Sequence, residues 1–333
     1  MVILLATGLN SCQKEALPSS TALGATTSDP TVGLPPGYFW WSTLTPIPYV
    51  AYTKKDPVTD AIYALGFAIN DTGYVLGGML ETEEGETDHV PDLWKYDQTT
   101  SKWSKKAPFP GEPNSLVFAS QFVIGQNVFV ITNNLVWQYN QPTNKWTQKA
   151  NFPGASRFAA TAMTINGKGY LGLGTDEIEL GFLKDWWQYD PTTDHWIQMR
   201  DYGGEAREGA GGFSLNGKGY VVLGLMGTVF ISTVWQYDPV ANTWTQKRNF
   251  PGSARRAEVT GSAIIGGAAT GILAGGDNND VMMSDFWEYN PVTDVWSEGS
   301  PIPGGARDCS ASFVLDHSFV IANQTVVSYN WTK

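Results

Sequence analysis

A pair of tryptophans nine residues apart recurs five times in this chain, and this repeat constrains the fold more than any other feature. The pairs are Trp94/Trp103, Trp137/Trp146, Trp187/Trp196, Trp235/Trp244 and Trp287/Trp296. A tyrosine stands two residues after each first tryptophan, with Asp or Asn next to it, and a polar turn follows. A period of about 40–50 residues is typical of an array of one supersecondary unit.

Each unit has the order of a four-stranded antiparallel meander. The second tryptophan is followed by a Pro/Gly segment such as TQKANFPG, then by an alternating small/apolar strand, a tight Asn-Gly-Lys turn and a strand that ends in glycine. A variable loop then leads to the Trp-x-Tyr-Asp strand, a turn and the strand with the second tryptophan. Asn-Gly turns predict hairpins. Four strands in about 48 residues are the size of one propeller blade.

The spaced Tyr and Trp and the glycine pairs (GYVLGG, GILAGG) resemble kelch motifs. The resemblance covers residues 38–333, with local departures: Asn133 and Asn323 stand in place of the glycine pair, and Val327 replaces a first tryptophan. It implies an all-β, six-bladed kelch β-propeller with four-stranded antiparallel blades. The chain resembles sialate mutarotase-like and galactose-oxidase-like kelch propellers in fold only.

The ring is predicted to close through an N-terminal strand. Trp41 to Pro48 matches Trp103 to Pro110, so an outer strand precedes the first complete unit. The sixth unit ends soon after Tyr329 and lacks its outer strand. We expect the N-terminal strand to complete blade six, since this pairing leaves no free sheet edge between the chain ends.

The first residues are predicted to be a targeting signal. Val2 to Leu9 are apolar and run into Leu9-Asn10-Ser11-Cys12, which resembles the bacterial lipoprotein processing motif. Eight apolar residues are too few to cross a ~30 Å hydrocarbon core. The missing basic residue before this run suggests a start codon further upstream, and a fortuitous cysteine is the alternative. The expected division is a signal peptide at 1–11, a Ser/Thr/Pro-rich tether at 12–37 and the propeller at 38–333.

Charge and composition restrict the partners. The net charge of −11 excludes nucleic acid as an expected partner, since phosphate binding needs a basic surface. Cys12 and Cys309 cannot form a disulfide framework within the propeller. No cofactor or metal is expected, because the three histidines fall on separate loops: His89, His195 and His317. We expect a monomer in the cell envelope, an outer-membrane lipoprotein that is periplasmic or surface-exposed and touches the membrane only through a lipid on Cys12.

The ligand is expected on one face of the ring. Turns alternate between the two faces of a meander, so the strand 2–3 loops and the strand 4–1 segments share a face. All the length variation lies in this face, in residues 79–91, 175–183, 225–231 and 277–284. Variable loops on a rigid scaffold are where binding sites usually lie. The acidic runs in residues 81–88 and at Asp277 and Asp280 match no calcium loop and are predicted to be solvated rim.

An arginine stands at the entry to the inner strand in four units. They are Arg157, Arg207, the pair Arg255/Arg256, and Arg307. We expect these guanidiniums to surround the channel mouth and bind an anionic group, a role that the resemblance to kelch adaptors also implies. The alternative is that each pairs with a carboxylate of a neighbouring blade, with Glu205, Glu208, Glu258 and Asp308 as candidates. Three aromatics that lie outside the obvious repeat positions are further candidate ligand contacts: Trp186, Tyr202 and Phe230.

Two functions remain open on the sequence. The favoured one is a surface-anchored module that binds an anionic glycan or protein ligand without catalysis. The alternative is a sugar mutarotase of the sialate mutarotase type. For this alternative the resemblance implies a carboxylate-binding arginine and an acid/base group, and Glu205, Arg207 and Glu208 are the candidates.

Overall fold

The computed structural model describes residues 39–48, 61–81, 87–279, 281–306, 310–322 and 326–331. These residues form six four-stranded antiparallel sheets. The inner strands of successive sheets contact one another around a closed ring, so the fold is a six-bladed β-propeller, as the sequence predicts. In the described part of the chain no helix is long and apolar enough to span a membrane.

Five blades are built from strands that follow one another along the chain. From the channel outwards, blade one consists of β3 (Leu65–Ala68), β4 (Gly73–Leu76), β7 (Leu93–Asp97) and β8 (Lys102–Lys105), and blade two of β9 (Ser120–Ile124), β10 (Asn127–Thr132), β11 (Leu135–Asn140) and β12 (Lys145–Gln148). Blade three consists of β14 (Thr161–Ile165), β15 (Lys168–Gly172), β17 (Trp186–Asp190) and β18 (His195–Gln198), and blade four of β19 (Gly211–Leu215), β20 (Lys218–Val222), β23 (Val234–Asp238) and β24 (Thr243–Gln246). Blade five consists of β25 (Val259–Ile265), β26 (Ala268–Ala274), β27 (Phe286–Asn290) and β28 (Val295–Glu298).

Blade six combines the two ends of the described chain. Its inner strands are β29 (Ala311–Leu315), β30 (Ser318–Ala322) and β31 (Val326–Trp331), and its outer strand is β1 (Phe39–Leu44). The pairing of β1 with β31 is antiparallel and runs from Phe39↔Trp331 to Leu44↔Val326. The predicted closure through the N-terminal strand is confirmed.

Short elements decorate the loop-rich face. They are the strands β2 (Ala61–Ile62), β5 (Met79–Glu81), β6 (Thr87–His89), β13 (Arg157–Phe158), β16 (Thr175–Asp176), β21 (Leu225–Met226) and β22 (Val229–Phe230), and a 3₁₀ turn at Pro113–Leu116. They belong to the strand 2–3 loops and strand 4–1 segments, so they lie above the channel mouth and shape it.

The Trp-x-Tyr-Asp motif recurs because its residues make the same contacts in each blade. In blade three the Tyr189 hydroxyl donates to Asp194 Oδ1 at 2.6 Å, and Asp194 also accepts the backbone N–H of Ala150 from the preceding segment. Asp194 adopts a left-handed φ of 54°, a conformation that Asp tolerates better than most residues. The same bonds recur at Asn144, Asn242 and Asp294. The turn therefore binds its own tyrosine and the neighbouring blade together.

The second tryptophan of each repeat packs between blades. Trp146 Nε1 donates to the carbonyl of Ala107 at 2.9 Å, and Trp196 Nε1 donates to that of Ala150 at 3.3 Å. Trp41, which belongs to the closing strand, donates in the same way to Ser300 at 3.1 Å. The core consists of such contacts between adjacent blades, so each blade depends on its neighbours for burial of its apolar surface.

Candidate functional site

A cavity of about 1320 Å³ opens on the loop-rich face at the mouth of the central channel. Its walls come from strand 4–1 segments and strand 2–3 loops of blades one to five and from Ser310 at the entry to blade six. A narrower polar space lies beneath it among the inner strands β3, β9, β14, β19, β25 and β29. The loop-rich face therefore holds the large cavity, and we call this space the mouth cavity.

Aromatic side chains form one wall of the mouth cavity. Tyr63, Phe118 and Phe158 line it from blades one, two and three. The Tyr63 and Phe118 ring centroids lie 4.5 Å apart with an interplanar angle of 61°, and those of Phe118 and Phe158 lie 6.3 Å apart. Tyr63 and Phe118 have left-handed φ values of 58° and 57°, a conformation that is costly for bulky residues and that the equivalent Ala159, Gly209 and Ala257 share.

Charged side chains form a second wall, which borders the aromatic one. Glu177, Glu208, Arg256 and Asp277 line the mouth cavity from blades three to five. Arg256 lies between two carboxylates, with Nη1 3.6 Å from Glu208 Oε1 and Nε 3.7 Å from Asp277 Oδ2. Its Nη2 donates to Asn279 Oδ1 at 3.1 Å. Arg256 is thus held in place by the wall that it belongs to.

Glu258 lies where the mouth cavity meets the channel and lines both spaces. It is only 9% exposed, and its Oε1 accepts the Gly211 N–H at 2.8 Å. Burial raises the pKa of Glu258 to about 8, and the charge of Asp277 adds to the rise, while the Gly211 hydrogen bond and the Arg255 charge oppose it. Glu258 Oε2 has no hydrogen-bond partner among the described residues. A carboxyl group in this state can donate a proton at neutral pH.

The repeat arginines of blades three and five are buried and paired. Arg157 is 5% exposed, and its Nη1 and Nη2 donate to Asp185 Oδ1 and Oδ2 at 2.6 and 2.7 Å. Arg255 is 0% exposed and makes the same bidentate contact with Asp285. Contrary to the expectation from the sequence, these guanidiniums do not line the mouth cavity. Their partners also differ from the predicted alternative, since each aspartate belongs to the same blade as its arginine.

The side chains and the backbone of these arginines both bind neighbouring strands. Arg157 Nη1 donates to the carbonyl of Leu173, and Arg255 Nη1 donates to that of Gly275, at the ends of second strands. The backbone carbonyl of Arg255 accepts the N–H of Gly224 from the preceding blade at 2.9 Å. Gly224 has a φ of 101°, and a Cβ there would lie 2.9 Å from the carbonyl oxygen of Glu208, so the position requires glycine. Gly224, at the end of a second strand, and the repeat arginine Arg255 therefore form one contact between blades four and five.

Arg207 of blade four is also buried, at 0% exposure, but it lacks the aspartate. Thr233 stands two residues before Trp235, where blades three and five have Asp185 and Asp285. Arg207 Nη2 instead contacts Glu205 Oε2 at 3.1 Å, and the Glu205 side chain is 59% exposed. Burial lowers the pKa of Arg207, against the opposing charge of Glu205. Neither Arg207 nor Glu205 lines the mouth cavity, so of the three residues proposed for mutarotation only Glu208 does.

Trp186 and Tyr202 are core residues. Trp186 is 0% exposed and packs edge-on against Trp244 of the next blade, with ring centroids 5.3 Å apart. Tyr202 is 1% exposed and lies under Arg207, whose Cζ is 5.2 Å from the ring centroid. Both occupy repeat positions after all, because Phe286 and Phe250 stand at the matching places in blade five. Their burial is the reason why they do not contact the mouth cavity.

Three other predictions have different outcomes. Phe230 lies in β22 on the loop-rich face but does not line the mouth cavity. Asp277 is 1% exposed and belongs to the charged wall, so its assignment to a solvated rim was wrong. Arg307 and Cys12 lie outside the described residues. Within the described part no three His, Cys, Asp or Glu side chains are grouped to hold a metal ion.

The aromatic wall residues Tyr63, Phe118 and Phe158 were missed at the sequence level, whereas Glu208 and Arg256 were among the predicted site residues. Phe158, Glu208 and Arg256 each follow a repeat arginine directly, so the position after that arginine is the one that faces the ligand space. Tyr63 and Phe118 stand two residues before the inner strand, where blades three to five have Ala159, Gly209 and Ala257. A comparison of the repeats at these two positions would have found the aromatic wall.

The comparisons with known proteins agree with this architecture. The family model described as Kelch motif matches residues 206–251, which cover the entry, inner strands and Trp-x-Tyr-Asp strand of blade four. The other five blades repeat the same strand order. The chain is a six-bladed β-propeller with a kelch motif in blade four.

A solved structure titled "Structure of YjhT" is similar to this propeller. It matches with a TM-score of 0.64 at 17% sequence identity, over 81% of this chain and 94% of that one. At this level of identity the likeness shows the fold. No curated protein matches the sequence.

Proposed function

We propose that this kelch propeller is a binding module and that its mouth cavity takes a glycan. The observation that carries the proposal is the pairing of an aromatic wall with a charged wall in one cavity of about 1320 Å³. Sugar rings present apolar C–H faces and polar hydroxyl edges. Aromatic side chains supply apolar contact area, and a few polar groups fix the orientation of a ligand. Arg256, which directly follows the buried repeat arginine Arg255, is the arginine that we propose as a ligand contact.

A glycan array tests the proposal, followed by calorimetry of the purified propeller with any glycan that is bound. Phe158→Ala should weaken binding at least ten-fold, because it removes part of the aromatic wall. Phe230→Ala is the matched control, since Phe230 is a partly buried aromatic on the same face outside the mouth cavity. If Phe230→Ala abolishes binding and Phe158→Ala does not, the site lies on the hairpin of blade four. Binding of proteins and of no glycan would favour the protein ligand.

Sugar mutarotation is a second candidate, and Glu258 is the observation that favours it. General acid–base groups work best with a pKa near the operating pH, and burial raises the pKa of Glu258 to about 8. Glu258 also lines the mouth cavity, whereas Glu205 does not. Polarimetry or NMR of a freshly dissolved anomer tests this function. A rate of equilibration that is unchanged by the protein would exclude mutarotation of that sugar, and a rate increase that survives Glu258→Gln would exclude Glu258 as the acid/base group.

The proposal includes anchoring at the cell envelope through a lipid on Cys12. The support is the sequence alone, since the residues before Phe39 lie outside the described part. A diacyl anchor would hold the propeller at a membrane without any spanning helix. Cys12→Ser should move the protein from the membrane fraction to the soluble fraction. A wild-type protein that is soluble after processing would contradict the anchor.

A further inference from the structure

The charges of the mouth cavity do not suit the anionic ligand that the arginines suggest. Glu112, Glu177, Glu208 and Asp277 contribute four carboxylates to its wall beside Glu258 at its floor, and Arg256 is the one basic side chain on the described part of it. Without Glu258, this leaves an excess of three negative charges. An anionic group that enters the cavity would meet like charges in a partly desolvated space, and this arrangement costs binding energy.

The carboxylates differ in how far they are neutralised. Arg256 lies near Glu208 and Asp277, at 3.6 and 3.7 Å. Glu177 accepts hydrogen bonds from Ser156 Oγ and from Asn133 Nδ2, and both donors are neutral. These bonds fix the Glu177 carboxylate in position but leave its charge in place. Glu208 Oε2 likewise accepts from the neutral Thr175 hydroxyl at 2.6 Å.

Glu258 supplies an independent sign that the mouth cavity receives a polar ligand. Its side chain is more than nine-tenths buried and lines the bottom of the cavity. Its Oε2 atom has no hydrogen-bond partner among the described residues. Leaving a buried polar atom unpaired costs about 1–3 kcal/mol, so native structures rarely keep one without a reason. A ligand group that reaches the cavity floor would satisfy it.

The aromatic wall also favours a ligand with a positive charge. The face of an aromatic ring is negative and attracts ammonium groups, and protein sites for organic cations combine aromatic rings in this way. The ring of Phe118 lies between those of Tyr63 and Phe158 and contacts both. This aromatic wall borders the charged wall, because Phe158 pairs with Thr175 in the β13–β16 sheet. Thr175 is the residue that donates to Glu208. Aromatic rings and carboxylates are therefore next to each other at this point of the wall.

We propose that the mouth cavity binds a saccharide that carries a protonated amine, with the sugar ring against Phe118 and Phe158 and the ammonium group between Glu177 and Glu208. This assignment of the ligand class rests on the proposed glycan-binding function. Both walls contribute to it: a neutral sugar would use the aromatic wall alone, and an anionic sugar would be repelled by the carboxylates.

Three oligosaccharides of equal length test the assignment by calorimetry: a glucosamine oligomer, which is cationic, its N-acetylated form, which is neutral, and a galacturonate oligomer, which is anionic. The glucosamine oligomer should bind at least ten-fold more tightly than the acetylated one, and its affinity should fall as salt rises. Equal or tighter binding of the neutral or anionic oligomer would overturn the amine assignment and leave the glycan-binding function intact. Failure of all three together with an empty glycan array would overturn the function itself.

Charge-removing variants place the ammonium group. Glu177→Gln should weaken binding of the glucosamine oligomer at least five-fold and leave binding of the acetylated oligomer nearly unchanged. Glu179→Gln is the matched control, because Glu179 is exposed in the same loop and does not line the mouth cavity. If both variants reduce affinity equally, the attraction is a general effect of the acidic surface, and the proposed position of the amine is wrong. Glu208→Gln provides the second test, with thermal unfolding as the check on folding.

Discussion

Blades three and five hold their repeat arginine with an aspartate of the same blade, whereas blade four holds Arg207 with an exposed glutamate. In blade five the Asp285 carboxylate accepts both terminal nitrogens of Arg255 and also the Trp287 Nε1 donor at 2.7 Å. In blade four Thr233 replaces the aspartate, and Trp235 Nε1 is left without a partner among the described residues.

The same sequence position can therefore hold a buried arginine whose charge is compensated either by a bidentate aspartate or by an exposed glutamate. A second difference accompanies the first. Tyr202 stands in blade four where blades three and five have phenylalanine, and its hydroxyl lies near Thr233 and Arg207. The tyrosine hydroxyl and the threonine together occupy the region that the aspartate fills in the sister blades. They are neutral, so the charge of Arg207 depends on Glu205 at the surface.

The largest effect is expected from Asp285→Ala. It leaves Arg255 buried without a counter-charge, and breaking a buried ion pair in this way costs about 3–5 kcal/mol of the free energy of unfolding. Denaturant unfolding followed by tryptophan fluorescence measures it. Asp185→Ala in blade three should behave in the same way. A loss below about 1 kcal/mol for both variants would mean that the aspartates do not distinguish these blades from blade four.

The pair that is missing from blade four can be restored. Thr233→Asp combined with Tyr202→Phe recreates the residues of blades three and five around Arg207. The new charge-assisted hydrogen bonds should raise the free energy of unfolding by about 1.5–3 kcal/mol. Tyr202→Phe alone is the control, since it removes the hydroxyl without adding a carboxylate. A double variant that is less stable than the wild type would show that the backbone of blade four no longer accommodates the aspartate.

The loss of the free energy of unfolding at acid pH should report the Arg255–Asp285 pair of blade five. Burial opposes ionisation of Asp285, but hydrogen bonds from Arg255 and Trp287 and the Arg255 charge outweigh it, and the pKa of Asp285 is lowered. A lowered pKa in the folded state means that the pair contributes its full stability above the unfolded value of about 3.9. The contribution is lost as the pH falls below that value and through the folded one. Asp285→Asn should therefore show a flatter loss of stability with acid than the wild type. Identical slopes would contradict this reading.

The smallest effect is expected from Glu205→Gln. The Glu205 side chain is 59% exposed, and an exposed ion pair contributes only about 0–1 kcal/mol. Thermal unfolding of this variant beside Asp285→Ala gives the direct comparison between the two kinds of partner. A loss as large as that of Asp285→Ala would show that Glu205 compensates Arg207 as fully as the aspartates do in their blades.

Much of the fold follows from local patterns that repeat. The tryptophan spacing predicts the blades, and the match of Trp41 with Trp103 predicts the closing strand, which the β1–β31 pairing confirms. The repeated arginine was also a correct sign of a special position. Its role was misjudged, because a sequence shows that an arginine recurs but not which carboxylate reaches it. Asp185 and Arg157 are 28 residues apart and meet only after the blade has formed.

The sequence alone predicts the repeat, the number of blades, the closure of the ring and the face that carries the long loops. These features can be recognised from periodic apolar patterns and turn residues that recur in each unit. Which side chains face the mouth cavity depends on tertiary packing. In blades three to five the residue after the repeat arginine lines the mouth cavity while the arginine itself is buried, and this one-residue difference depends on the backbone at the blade entry. The burial of Glu258 and its raised pKa likewise arise from packing against blade four, and no local pattern contains that contact.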